Sequence, residues 1–131
     1  MPNTELDLWP DDIGHSDLVA PVAIMRQQAS FLGRKTQNLV RGNIVSTFNQ
    51  SNENLVHYFF MVAPALQEYR YKLFTVRHKI SFYPLFLYSE RTDGKEVEVA
   101  NQDEFLETLK AEFNSEKARS VIESMIAQSE K

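Results

Sequence analysis

The sequence contains no cysteine. That excludes disulfides, thiol nucleophiles, iron–sulfur ligation and thiolate zinc sites together. Glycine is nearly as scarce. The four glycines, Gly14, Gly33, Gly42 and Gly94, stand too far apart for a dinucleotide or nucleotide-triphosphate loop. No G-x-S-x-G is present, so no hydrolase elbow is expected. Long apolar runs are missing too. The longest nearly uncharged stretch, LVHYFFMVAPAL over 55–66, is too short to span a bilayer as a helix. Residues 1–17 carry no base, whereas a secretory leader starts with one. These absences predict a soluble cytoplasmic protein with no membrane partner and no cofactor.

Charge is present in quantity and is segregated. Glu5, Asp7, Asp11, Asp12 and Asp17 give residues 1–17 a charge of −5. Residues 18–89 carry +6 and residues 90–131 carry −5, so a basic middle lies between acidic ends within a net −4. At 131 residues and 43% apolar content the chain can bury a core of its own.

The periodicities divide the chain into an acidic arm, 1–16, and one domain, 17–131. Leu18, Val22, Met25, Ala29 and Leu32 repeat at helical spacing, with Asp17 as a cap and Gly33 as a stop. From Leu39 the period falls to that of strands: 39–48, 55–63, 69–78 and 80–90. The 55–63 segment is apolar on both faces and predicts a strand covered on both sides. Pro84 predicts an edge position or a bulge for the strand containing it. Asp93-Gly94 predicts a two-residue hairpin pairing 85–91 with 95–100. Asn101 with Glu104, and then Ser115, signal the starts of two closing helices. The fold predicted is α+β, a mostly antiparallel sheet of four to five strands with one N-terminal and two C-terminal helices packed on it.

Three functional readings follow. The first is a non-catalytic binding or protein-interaction module whose partner is a protein, including a second copy of itself. Leu6, Leu8 and Trp9, set among acids, are its docking candidates, although packing of Trp9 on its own domain is preferred. The second is a ligand or enzymatic pocket between sheet and helices around His57, Tyr58, Tyr69 and Tyr71. The third is single-stranded nucleic acid bound through the basic strand, with Arg70, Lys72, Arg77 and Lys79 as anion-binding candidates. It ranks last because strict alternation sends Tyr69, Tyr71, Leu73, Thr75 and Arg77 to one face and Arg70, Lys72, Phe74, Val76 and His78 to the other. Rings and cations of that strand are thereby separated. No metal site is predicted. Asp11, Asp12, His15 and Asp17 match no metal-binding spacing, and acids ahead of a helix suit its dipole.

Overall fold

A computed structural model describes residues 5–130. Residues 1–4 of the predicted arm lie outside the described residues. The order is α1 (Pro21–Lys35), β1 (Arg41–Asn49), β2 (Asn54–Ala63), β3 (Tyr69–His78), β4 (Leu85–Ser89), β5 (Val97–Val99), α2 (Gln102–Phe113) and α3 (Glu116–Ser129). The five strands form one antiparallel meander in chain order. One N-terminal and two C-terminal helices pack on it, as the α+β reading expects.

Both closing helices begin where their capping residues stand. Asn101 accepts from the Glu104 amide at 2.9 Å and Ser115 from the Ala118 amide at 3.1 Å. The start of α1 departs from expectation. The helix begins at Pro21 rather than Leu18, with Ala20 as an uncapped N-terminus. Proline at the first helical position breaks no bond and sets φ, so it outweighs the Asp17 signal. Leu18 is consequently left exposed. Gly33 is not a stop but a buried residue within α1. Pro84 lies just before β4, which runs between β3 and β5, so it marks neither an edge nor a bulge. Asp93 and Gly94 both take positive φ, but within a loop running from Glu90 to Glu96 rather than a two-residue turn.

The core joins the three helices to one face of the sheet. Phe59, Met61, Leu73, Phe74, Val76, Leu85, Leu87 and Val99 meet Met25, Ala29, Phe105, Leu109, Ala118 and Met125. Helix α1 lies so close over β1 that a methyl on Gly42 would stand 2.5 Å from Ala29 Cβ. Among the described residues no helix or strand layer lies on the opposite face of the sheet. β2 is therefore not covered on both sides by secondary structure, contrary to the expectation from its two apolar faces.

Candidate nucleic-acid interface

The uncovered face is built by a bulge. β2 and β3 pair regularly from Leu55↔His78 to Phe59↔Phe74, then resume at Phe60↔Lys72. Leu73 is the extra residue, and the pleat changes phase across it. Arg70 and Lys72 point to the open face on one side of the bulge; Thr75 and Arg77 point there on the other. Strict alternation through 69–78 is thus overturned. Arg77 joins Arg70 and Lys72, while Phe74, Val76 and His78 join Tyr71 on the helix-covered face.

The register assembles four rows across the open face. Arg41, Val62 and Arg70 form the first, and Asn43, Phe60 and Lys72 the second. Val45, Tyr58, Thr75 and Tyr88 form the third. Thr47, Val56, Arg77, Phe86 and Glu98 form the fourth. The rings absent from β3 on this side come from β2 and β4. Arg70 lies over Phe60 with its guanidinium carbon 4.4 Å from the ring centre. Lys72 lies over Tyr58 at 5.4 Å and Arg77 over Phe86 at 4.2 Å. Each such contact contributes about 0.5–1 kcal/mol at a solvent-facing site. The long stems of the cations cover these three rings, which explains why Tyr58, Phe60 and Phe86 are half-buried without a second layer.

Two details mark the centre of this surface. Thr75, between Tyr58 and Tyr88, is 1% exposed, and its hydroxyl has no hydrogen-bond partner among the described residues. Arg77 is held at the β5 side by Glu96, donating from Nη2 to Oε1 at 2.7 Å. That bond keeps the Glu96 carboxyl below its ordinary range and raises the Arg77 guanidinium. Arg70 and Lys72 make no ion pair among the described residues. Lys79 lies beyond the end of β3, donates to the Asn52 carbonyl at 2.9 Å, and is outside the four rows.

The pocket candidates are not brought together. His57 and Tyr71 face the helices, Tyr58 faces the open side, and Tyr69 is largely exposed at the start of β3. None of the four lines the cleft of about 420 Å³ found between the helices. His57 is 3% exposed and its ring is fully bonded. His78 Nδ1 lies 2.7 Å from the Lys79 carbonyl, so it carries the hydrogen. His78 Nε2 must then accept from His57 Nε2 at 3.0 Å, and His57 Nδ1 accepts from the Ser46 hydroxyl at 2.7 Å. Burial, then the neighbouring His78 and Arg26, lower the His57 pKa to about 4. This relay joins three strands and closes the site where a pocket was expected.

The preferred packing of Trp9 on its own domain is also overturned, since the indole is 71% exposed. Residues 5–19, exposed throughout, therefore do not mask the sheet. Sequence reading missed Glu112, a carboxylate 1% exposed that accepts from Ser89 Oγ at 2.8 Å and Arg91 Nε at 2.6 Å. Its signal was its spacing: it follows Leu109 by three on the buried stripe of α2. Among the described residues no group of acids and histidines is placed to hold a metal, and no helix is long and apolar enough to cross a membrane. Comparison with protein-family models, characterised proteins and solved structures finds no match.

Proposed function

We propose that the protein is a non-catalytic binding module whose open sheet face takes single-stranded nucleic acid. The observation that carries this reading is the convergence of four half-buried rings and four cations, Arg41, Arg70, Lys72 and Arg77, on one uncovered surface. Surfaces that bind single strands combine ring faces for base stacking with cations that follow the phosphates. Here Arg70, Lys72 and Arg77 each already rest on a ring. A base stacking on Tyr58 or Phe60 displaces the flexible head of Lys72 or Arg70 toward the backbone, where it meets a phosphate. The Thr75 hydroxyl supplies an unused hydrogen bond beneath the rings. The net charge of −4 does not oppose this, because most of the acids lie in residues 5–17 and in α2 and α3. A cysteine-free chain agrees with action in the cytoplasm.

Fluorescence anisotropy with a labelled oligouridylate and an oligothymidylate of about 12 nucleotides tests the reading. Binding at low salt should weaken steeply as salt rises. Arg70→Ala and Lys72→Ala should each reduce the slope of log affinity against log salt by about 1. Tyr58→Ala should cost about 1–3 kcal/mol with little change in slope. No retention of either oligonucleotide at low salt would end the proposal. So would unchanged affinity in Tyr58→Ala and Phe60→Ala, which would reduce the surface to a diffuse cation patch.

A further inference from the structure

The face opposite the basic sheet holds a second unassigned feature. A cleft of about 420 Å³ opens between the C-terminal half of α1 and the α2–α3 pair. Its floor is Phe59, Met61 and Leu73 from the sheet, and Phe31 and Phe113 line it from the helices. Lys35 and Lys110 are its only charged lining residues. Neither lysine makes an ion pair among the described residues. The cleft therefore suits an apolar group accompanied by negative charge.

The chain contains such a segment. Leu6, Leu8 and Trp9 are 81%, 82% and 71% exposed, in an arm that holds acids and neither lysine nor arginine. Large apolar side chains clustered in solvent mark an interaction segment. Alternation in L-D-L sends Leu6 and Leu8 to one side of an extended chain and Asp7 to the other. The arm joins α1 at Pro21, whereas the cleft flanks the other end of that helix, at Phe31 and Lys35. The cleft lining on α1 runs from Gln28 to Lys35, and its nearest residue lies about 10 Å along the helix from Pro21. In its own molecule the arm runs clear of the cleft, with residues 5–19 exposed throughout.

We infer that the arm of one copy seats Leu6, Leu8 and Trp9 in the cleft of a second copy, with Glu5 and Asp7 facing Lys35 and Lys110. Reciprocal exchange of two arms closes the assembly as a symmetric dimer and satisfies both apolar segments. The sheet face is on the far side and stays free, so this inference stands independently of nucleic-acid binding.

Trp9 is the single tryptophan and reports its own surroundings. The full chain is diluted across a wide concentration range while selectively excited tryptophan emission and molar mass by light scattering are followed together. The expected result is a blue shift of emission in step with a doubling of mass. The exposed double variant Lys35→Glu/Lys110→Glu should move the midpoint to roughly tenfold higher concentration or more, and Leu6→Ser/Leu8→Ser should do the same from the arm side. A monomer with solvent-type emission at every concentration would overturn the inference. So would a blue-shifted monomer, which would place the arm in its own cleft. A dimer whose emission stays solvent-like, or one indifferent to the lysine reversals, would assign association to another surface and overturn it equally.

Discussion

The two faces of the sheet share the same strands yet solve the burial of aromatic side chains differently. On the helix side Phe59 and Phe74 stack 5.2 Å apart beneath Phe113 and are closed off by three helices. On the open side Tyr58 and Phe60, their immediate neighbours in β2, are shielded only by arginine and lysine. A helix layer excludes water permanently. A layer of flexible cations excludes it until something binds more favourably. The comparison teaches that a strand apolar on both faces does not require two layers of secondary structure. Neighbouring strands can supply the second cover from their own charged stems.

Truncation on the two sides separates these cases most sharply. Phe59→Ala removes a fully buried ring and should destabilise by about 3–5 kcal/mol. Phe60→Ala removes a half-buried ring and should cost only about 1–2 kcal/mol, while weakening oligonucleotide binding. Urea unfolding of both variants checks the pair. Equal losses would mean that the open face is closed by something beyond its cations, and the contrast would collapse.

A smaller effect is expected where α1 meets the sheet. Gly42 gives Ala29 room, and a methyl there would come within 2.6 Å of the Ala29 Cα as well as meeting its Cβ. Gly42→Ala should cost about 1–3 kcal/mol by forcing the helix off β1. Because the open face does not depend on α1, oligonucleotide affinity measured on the folded protein should stay near wild type. If Gly42→Ala is as stable as the parent in thermal unfolding, the helix is not seated as tightly as its contacts state.

Much of this architecture was legible because each element carries its own local signal. Asn101 and Ser115 cap where they stand, and the period changes from helix to strand between Gly33 and Arg41. The open face was not legible, for one physical reason. A bulge is a relation between two strands, and nothing in YRYKLFTVRH marks Leu73 as its extra residue. Alternation carried through it assigns Arg77 and His78 to the wrong sides. It hides both the cation row and the histidine relay. The rings of the surface were visible as residues, but only the register places Tyr58, Phe60, Phe86 and Tyr88 beside the cations of β3. The arm shows the converse. Its composition was plain, yet composition does not say whether Trp9 is covered by its own domain.

The same bulge sets up a pH-dependent effect on the helix side, confined to acid solution. By turning His78 inward it gives His57 a partner, and burial in that relay disfavours a charge on His57. His57 faces Ser46 on β1, His78 on β3 and Arg26 on α1, and none of these offers it a negative charge. Its pKa is about 4 in the folded chain against 6.5 when unfolded. The sign follows directly. Above pH 6.5 both states are neutral here and the group has no effect on stability. Between pH 6.5 and about 4 the unfolded chain takes up a proton that the folded chain refuses, so stability falls as pH is lowered. Solvent at the Ser46 end reduces the full linkage value, leaving roughly 2 kcal/mol lost across that window. On the open side, Arg70 and Lys72 hold their charge through the same range, so affinity for an oligonucleotide should not share this profile. Proton NMR of the ring resonances reads His57 directly, and urea unfolding of His57→Gln should show a shallower fall between pH 7 and 4.5 than the parent. A His57 resonance titrating near pH 6.5 would mean that the relay does not exclude the proton, and that the helix-covered face is as open to solvent chemistry as its opposite.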